Sequence, residues 1–323
     1  MKLLKLIPDN TNLDFMRWRN VALVLSIIVT VASLSLVAVR GLNLGVDFLG
    51  GQMIRVTFSQ KVDVETLRND VDSLNLGEAS IQETGGPRSF QIRLPKPEGG
   101  EAAANRAASQ VRVMLGQKYP GSRVDSVETV SGKVSEELAW DGSLAIGLAM
   151  LGIAIYIWFR FEWQFGVGAL VTLFHDVWMT LGFFSLTQLE FNLNVIAAIL
   201  TIVGYSLNDT VVIYDRIREN LRKYRKMEIV PLLNLSLNET LSRTMVTSIS
   251  IMLALLALLI LGPDVIFGLT IAIFIGIFVG TYSSIYISSP ILVWLKVSSD
   301  SFMPRDPVSR ASGPRNEDFG ARV

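Results

Sequence analysis

The sequence predicts an α-helical membrane protein with six transmembrane helices and one small α/β domain inserted between the first two. Half of the 323 residues are hydrophobic and only 18% are charged. The hydrophobic residues are clustered in six long runs, and a long polar stretch separates the first run from the second. Runs of about 20 apolar residues match the thickness of a bilayer. Clustering, run length and the placement of the polar stretch together predict this fold class.

Six spanning helices are predicted from these runs. They are Val21–Val39, Ser143–Phe159, Gly166–Leu186, Leu193–Ile213, Met245–Leu261 and Ile266–Leu295. The first is not expected to be a cleaved signal peptide, because Arg40-Gly41-Leu42 stands where small residues would be needed. The predicted organisation is an arm (1–20), the first helix (21–40), a domain (41–140), a five-helix bundle (141–297) and a tail (298–323) that is rich in Ser, Pro, Arg and Gly and expected to be disordered.

Lysine and arginine predict the orientation in the membrane. They occur in the arm, in the turn Arg160–Trp163 and in the segment Arg216–Lys226, whereas the connections Thr187–Asn192 and Gly262–Val265 contain none. The positive-inside rule therefore predicts that both termini lie in the cytoplasm and that the inserted domain lies outside. The basic segment 216–226 either carries only this orienting charge or also forms a docking surface for a cytoplasmic partner.

The inserted domain shows the pattern of two βαβ-like halves. Apolar residues alternate in a first strand around Ile54 and then recur at helical spacing after Asp63, the predicted N-cap. Two short apolar segments that flank Gly85-Gly86-Pro87 predict a hairpin. A second helix with Ala104, Ala108, Val111 and Leu115 and a last strand at Arg123–Val130 follow. The order β-α-β-β-α-β predicts a ferredoxin-like domain.

The composition excludes several kinds of chemistry. There is no cysteine, so neither a disulfide nor a thiolate metal site can form. His175 is the only histidine, which excludes sites built on two imidazoles. No Gly-x-x-x-x-Gly-Lys-Ser/Thr loop is present to bind nucleotide phosphates. The sequence thus predicts no enzyme, no metal and no bound cofactor.

Asp209 is the leading candidate for a functional residue. It lies inside the fourth apolar run, close to a polar stripe formed by Asn194, Thr201, Tyr205 and Asn208. A carboxylate inside a bilayer is expensive to keep ionised and usually marks an ion or proton path. Asp209 could then bind and release a proton near neutral pH. The alternative is a carboxylate close enough to the cytoplasmic water to act in folding alone.

Arg243 is the predicted partner of Asp209. It is expected to open the fifth helix on the cytoplasmic side, on the same face as Thr240, Thr244, Thr247 and Ser248. An ionised Asp209 would attract the guanidinium and a protonated one would release it, which makes a two-state element. The alternative is a topology anchor at a helix start.

Three further features carry open alternatives. His175-Asp176, near the middle of the third helix, is either a second protonatable position or a structural hydrogen-bonded pair. The last helix carries a small residue at every fourth position from Gly268 to Ser288, a ridge for close helix packing whose partner could lie on another chain. Asp47, Gly50 and Gly51 after the first helix suggest a turn with a capping acid.

Taken together, these residues resemble the SecF family of bacterial protein-export membrane proteins. The matching segments are Gly45-Val46-Asp47-Phe48-Leu49-Gly50-Gly51, Phe159-Arg160-Phe161-Glu162-Trp163, His175-Asp176-Val177, Gly204–Asp209, Asp215-Arg216-Ile217-Arg218-Glu219-Asn220 and Ser242-Arg243-Thr244. The match covers nearly the whole chain except the tail. The single ferredoxin-like unit is similar in size to that of SecF, since SecD has a larger external region.

The resemblance implies a mechanism and partners. SecF belongs to the resistance-nodulation-division superfamily, whose members use proton flux to drive an external domain. The family's proton-path residues would fall on Asp209 and Arg243. The implied location is the bacterial inner membrane, with a periplasmic domain. The implied partners are SecD, the SecYEG channel, YajC and preproteins, with a functional link to the SecA motor and none to nucleic acid.

Two other classes of function compete with this interpretation. Half of a small-molecule exporter of the same superfamily would need a much larger external region to form a drug pocket. An intramembrane enzyme would need a second histidine, a cysteine nucleophile or a metal cluster. The sequence favours a proton-driven accessory subunit of the protein-export channel over both.

Overall fold

The computed structural model describes residues 11–77, 79–84, 86–96 and 99–297. The predicted tail 298–323, and Lys2 and Lys5 of the predicted arm, lie outside these residues. Within the described ranges, six helices are long and apolar enough to cross a membrane, and a small four-stranded sheet domain follows the first of them. The predicted fold class is therefore confirmed.

The helices and strands of the described chain follow one another in a simple order. They are α1 (Arg19–Arg40), α2 (Val46–Leu49), β1 (Gly51–Thr57), α3 (Val64–Asp72), β2 (Ser80–Glu83), β3 (Ser89–Leu94), α4 (Gly100–Lys118), β4 (Arg123–Val130), α5 (Gly132–Arg160), α6 (Trp163–Thr187), α7 (Leu193–Lys223), α8 (Ile229–Leu261), α9 (Phe267–Tyr286) and α10 (Ser288–Trp294). Short 3-10 turns at Phe15–Trp18 and Asp264–Ile266 precede α1 and α9.

The inserted domain has the ferredoxin-like topology. Its sheet has the order β2-β3-β1-β4, and every pair of neighbours is antiparallel. Side chains of one sheet face, among them Ile54, Val56 and Ile92, form a core with the apolar faces of α3 and α4. Asp63 caps α3, because its carboxylate accepts a hydrogen bond from Thr66 N at 3.0 Å. The alternation of the strands thus buries one sheet face under helices and leaves the other face polar.

The bundle has buried and exposed helices. The most buried apolar segments belong to α6, α7 and the span formed by α9 and α10, whereas α5 and α8 are mostly exposed in the isolated chain. Small residues of α9 face α7: a Cβ added at Gly276 would collide with Ile202, and one at Gly280 would lie 3.4 Å from Ser206 Cβ. The predicted small-residue ridge therefore has its partner within the same chain.

Two predicted helix starts were wrong. Helix α5 begins directly after β4, at Gly132, and runs unbroken past Gly142. Helix α8 begins at Ile229 and not near Met245, because Leu232, Leu233 and Leu237 are buried at helical spacing and support an extension beyond the apolar run. The segment that precedes α1 contacts this extension, where Asn238 Oδ1 accepts a hydrogen bond from Leu13 N at 2.9 Å.

The last span was predicted as one helix and is two. Helix α9 ends at Tyr286, Ile287 has φ −117° and ψ −55°, and α10 starts at Ser288. Pro290 explains the break, because proline has no N–H to donate to the carbonyl of Tyr286, four residues earlier. The break lies next to Ser283 and Ser284, which belong to the site described below.

Candidate functional site

Asp176 lies at the centre of a saturated hydrogen-bond network. Its carboxylate is fully buried on α6. His175 Nδ1 lies 3.0 Å from Oδ1, and Oδ2 accepts hydrogen bonds from Ser206 of α7 at 2.6 Å and Ser283 of α9 at 2.9 Å. Three helices are thus joined at one carboxylate. Asp176 lies 11 residues before the end of α6, so it is about 16 Å from that end, near the middle of a bilayer.

Asp209 has fewer and longer contacts than Asp176. It is 5% exposed on α7, where Oδ1 accepts a hydrogen bond from Thr244 of α8 at 3.1 Å and Oδ2 accepts one from Ser284 of α9 at 3.5 Å. Asp209 lies 16 residues after the start of α7, about 24 Å along the helix. It is therefore closer than Asp176 to the membrane surface that faces away from the sheet domain.

Tyr205 lies one helical turn from Asp209 and repeats its contacts. Its hydroxyl pairs with Ser248 of α8 at 2.9 Å, and Ser248 pairs with Thr281 of α9 at 2.8 Å. Ser248 and Thr281 lie one turn from Thr244 and Ser284, respectively. The structure therefore brings Tyr205 and Asp209 to one seam between α7, α8 and α9, which is lined by hydroxyl groups.

Arg243 and Asn208 lie outside this seam. Both side chains are exposed in the isolated chain, and among the described residues the carboxylate of Asp209 is bound by Thr244 and Ser284 and not by Arg243. The prediction that Arg243 opens a helix was wrong, since it lies 14 residues inside α8. Thr244 is the residue that faces Asp209, and its neighbour Arg243 is rotated by about 100° around the helix.

The motif after the first helix joins the domain to the bundle. Asp47 Oδ2 accepts a hydrogen bond from Leu193 N at 2.9 Å and so caps the start of α7, the helix that carries Asp209. Gly50 and Gly51 have φ of +71° and +110°, a region in which only glycine is comfortable. A side chain at Gly51 would also collide with the carbonyl of Leu94. A capping role for Asp47 was predicted, but the sequence did not indicate that the capped helix is α7.

Part of the basic segment holds the turn between α5 and α6. Arg160 of this turn pairs with Asp215 at 2.9 Å, and Arg218 pairs with Glu162 at 3.2 Å. Both guanidinium groups also lie over the ring of Phe161, at 4.9 Å and 5.2 Å from its centre. These ion pairs connect the end of α7 to its neighbours.

Sequence reasoning missed Ser206, Ser283 and Glu190. Ser206 precedes Asp209 by three residues, so it lies on a nearby face of α7, and Ser283 is adjacent to a ridge residue. These spacings were available, but serines are too common in membrane helices to stand out alone.

Among the described residues, no group of three or more His, Cys, Asp or Glu side chains could hold a metal ion.

Comparisons with known proteins point to one family. The profile described as "Protein export membrane protein SecD/SecF, C-terminal" matches residues 110–298, and the "SecD/SecF GG Motif" profile matches residues 35–62. The second match contains Asp47, Gly50 and Gly51. Together the two profiles cover the bundle and the junction with the domain.

Curated relatives and a solved structure agree with these profiles. The chain is 43% identical over 305 residues to the protein translocase subunit SecF of Rhodobacter capsulatus, covering 90% of this chain and 91% of that protein. It is 44% identical over 290 residues to SecF of Rickettsia rickettsii, with coverages of 90% and 94%. The crystal structure of SecDF, a translocon-associated membrane protein from Thermus thermophilus, superposes with a TM-score of 0.83 at 35% identity. The match covers 90% of the present chain but only 40% of the solved SecDF chain.

Proposed function

The chain belongs to the SecD/SecF protein-export family, and we propose that it acts as a SecF-like subunit that uses the proton gradient to promote preprotein translocation. Translocase subunits of this family are transport components. The proposed energy source is proton flux, with no bound cofactor. The proposed partners are SecD, SecYEG and YajC, and SecA is proposed to act before it on the same preproteins.

The setting of Asp209 is the observation that carries the proposal. A carboxylate inside a bilayer normally serves an ion or proton path. Asp209 is buried, accepts hydrogen bonds from two hydroxyl groups of the described residues, and lies in a seam that joins three helices. Hydroxyl groups can both donate and accept hydrogen bonds, so Thr244 and Ser284 can serve either charge state of the carboxyl group. Proton exchange at Asp209 can therefore change the contacts between α7, α8 and α9.

Exposed polar residues of the bundle support SecD as the covering partner. Asn194, Thr201 and Asn208 recur every seven residues along one face of α7, and all three are exposed in the isolated chain. Arg243 is exposed on the neighbouring helix α8. Polar and charged side chains at membrane depth usually face protein or a water-filled cavity and not lipid. We infer that helices of SecD cover this polar face and that Arg243 meets Asp209 or a SecD acid in the complex.

The distribution of charge supports a location in the bacterial inner membrane. The ends of α5 and α7 that carry Arg160, Arg216 and Arg218 lie on the side opposite to the sheet domain. By the positive-inside rule, this distribution supports the proposal that both termini lie in the cytoplasm and the domain in the periplasm. The alternative of a small-molecule exporter half is not favoured, because the curated relatives are named as translocase subunits.

Replacing Asp209 with asparagine tests the proton-carrier role. Asp209→Asn keeps the shape and one acceptor oxygen but cannot exchange a proton. We expect normal accumulation and SecD binding, with loss of the gradient-dependent part of preprotein export into inverted membrane vesicles. Glu219→Gln is the matched control, since Glu219 is an exposed acid near the end of the same helix. Gradient-dependent export at the wild-type rate in Asp209→Asn would refute the role.

Cysteine crosslinking tests the proposed SecD surface. The chain has no native cysteine, so single substitutions report one site each. Asn208→Cys should crosslink to cysteines placed along the SecD membrane helices. Leu148→Cys, on the exposed apolar face of α5, is the control and should not crosslink. Crosslinks from Leu148→Cys without crosslinks from Asn208→Cys would show that SecD contacts α5 and not the polar face of α7.

A further inference from the structure

The sheet face that α3 and α4 leave uncovered is largely polar, yet its centre is buried. Arg55 of β1 and Gln91 of β3 lie on this face and are 7% and 8% exposed. The face lies against the loop between α6 and α7, residues Gln188–Asn192, and the connection between α8 and α9. A domain interface built from polar side chains resembles transient interfaces more than permanent ones.

Several hydrogen bonds fix the domain to the loop Gln188–Asn192. The carbonyl of Gln188 accepts from Gln82 Nε2 at 2.8 Å and from Asn43 Nδ2 at 2.9 Å. Arg93 of β3 donates to the carbonyl of Leu44. These bonds connect β2 and β3 to the loop and to the chain that enters the domain.

Glu190 is the charged residue at the centre of this interface. The side-chain amide of Gln91 is oriented so that both of its polar atoms have a partner. The amide nitrogen donates to Glu190 Oε2 at 3.0 Å, and the amide oxygen accepts from Arg55 Nε at 3.1 Å. Arg55 in turn pairs with Glu128 of β4. A chain of polar contacts thus runs from Glu190 across three strands. A cavity of about 40 Å³ beside it, lined also by Thr84, has room for water.

The charges around Glu190 leave its carboxylate poorly compensated. Burial raises the pKa of Glu190, and Arg55 opposes this effect most strongly. Glu128 and Asp47 raise the pKa further, whereas Arg93 lowers it. Arg55 is shared with Glu128, so its positive charge does not belong to Glu190 alone. Burial of the ionised carboxylate therefore costs free energy that burial of the neutral acid does not.

The loop that holds the domain also begins α7. Gly45 N donates to the carbonyl of Phe191 at 2.8 Å, and Phe191 N donates to that of Asn43 at 2.8 Å. Asp47 caps α7 at Leu193. A change in how the domain lies on the loop therefore acts directly on the first turn of the helix that carries Asp209.

We propose that the polar sheet face and the loop Gln188–Asn192 form a separable dock, and that protonation of Glu190 tightens it. Glu190 is a positioning residue that acts through the loop on α7. The proposal goes beyond the proton-carrier role of Asp209 and does not require it. The ligand of the dock is the chain's own domain.

The direction of the pH effect follows from the half-burial of Glu190 in the docked state. Its pKa is raised in the docked state and ordinary when the domain separates. Docking is therefore strongest below the ordinary glutamate pKa and weakens as the pH rises through the raised value. Acidification of the domain side closes the dock, and a more alkaline domain side loosens it.

Distance measurements between two spin labels test the dock. The labels are placed at Lys61→Cys, an exposed residue in the connection between β1 and α3, and Leu261→Cys, at the exposed end of α8. Both are read in the complex with SecD in lipid nanodiscs at about pH 5 and about pH 8. We expect one narrow distance at low pH and an additional, different distance at high pH.

Four variants make the result specific. Glu190→Gln should keep the narrow distance at both pH values. Glu128→Gln should reduce the fraction of molecules that show the additional distance at high pH, because it removes a negative charge near Glu190. Glu65→Gln, on the exposed face of α3, is the matched control and should respond as the wild type does. Asp209→Asn should also keep the full response, which separates this test from that of the proton carrier.

Three results would overturn the proposal. The first is a wild-type distance that does not change with pH. The second is a pH response in Glu190→Gln equal to that of the wild type, which would assign the response to another group. The third is loss of the response in Asp209→Asn, which would place its control inside the bundle. The narrow low-pH distance shared by all variants verifies that each is folded.

Discussion

Asp176 and Asp209 are both buried carboxylates on membrane helices, but the structure surrounds them differently. Asp176 is fully buried and has three partners within 3.0 Å. Asp209 has two hydroxyl partners, at 3.1 Å and 3.5 Å, and lies nearer to one membrane surface. A carboxylate with three short contacts holds helices together, whereas one with two long contacts can change its partners. The number and length of contacts therefore distinguish the two acids where burial does not.

Both sites depend on the close approach of α9 to α7, so disrupting that approach should have the largest effect. Gly276→Val places a branched side chain where even a Cβ would collide with Ile202. We expect the folded protein to fail to accumulate in membranes, because overpacking would separate the two helices. Gly147→Val on α5 is the control, since a Cβ there meets no atom within 4 Å. Equal accumulation of the two variants, measured by immunoblot, would contradict the proposed packing.

Removal of Asp176 should cost more stability than removal of Asp209. Asp176→Ala leaves the hydroxyls of Ser206 and Ser283 without their acceptor and removes the contact with His175, and we expect a loss of about 2–5 kcal/mol. Asp209→Ala leaves two weakly held hydroxyls and should cost about 1 kcal/mol. Thermal unfolding of the purified complexes measures the difference. A larger loss for Asp209→Ala would reverse the assignment of the two roles.

The sequence predicted the fold more fully than the site. Hydrophobic runs, alternation and lysine–arginine placement are local properties, and they were enough for the six helices and the ferredoxin-like domain. The pairing of Asp176 with Ser206 and Ser283 depends on how three helices rotate about their axes, which no local pattern determines. Arg243 shows the same limit, because a shift of one residue places Thr244 against Asp209 in its stead.

Glu190 shows a second reason for the incomplete prediction. It lies in a five-residue connection that sequence analysis treated only as a loop without lysine or arginine. Its importance comes from the sheet face above it, since Gln91 and Arg55 reach it only after the domain has folded and docked. Interfaces between separately folded regions leave little trace in either region's own pattern.

Ser283 and Ser284 of α9 contact Asp176 and Asp209, respectively, so replacing them should produce a smaller version of the same difference in stability. Ser283→Ala removes the 2.9 Å bond to Asp176, and we expect a loss of about 1–2 kcal/mol. Ser284→Ala removes a 3.5 Å contact to Asp209 and should cost less than about 0.5 kcal/mol. Ser250→Ala, at an exposed position on α8, provides the baseline for the unfolding measurements. Equal losses at 283 and 284 would show that contact length does not separate the two sites.

Arg243 should affect export with little effect on stability. It is exposed in the isolated chain, so Arg243→Lys should unfold at the wild-type temperature. A lysine lacks the planar, forked donor of arginine, and we expect gradient-dependent export to fall about fivefold, or about 1 kcal/mol. Arg243→Met combined with Asp209→Asn should be little worse than either alone, because members of one switch are not additive. Wild-type export in Arg243→Lys and additive losses in the double variant would leave Arg243 as a topology anchor.

The most direct test of the account is to observe the proton on Asp209. Infrared difference spectra of the complex with SecD, recorded between about pH 5 and about pH 8, report the carboxyl band of a buried acid that gains or loses a proton. In the Glu190→Gln background, which removes the titration of Glu190, the account predicts one such band that persists when Asp176→Asn is added and disappears when Asp209→Asn is added. A titrating band that persists in Asp209→Asn and disappears in Asp176→Asn would contradict it.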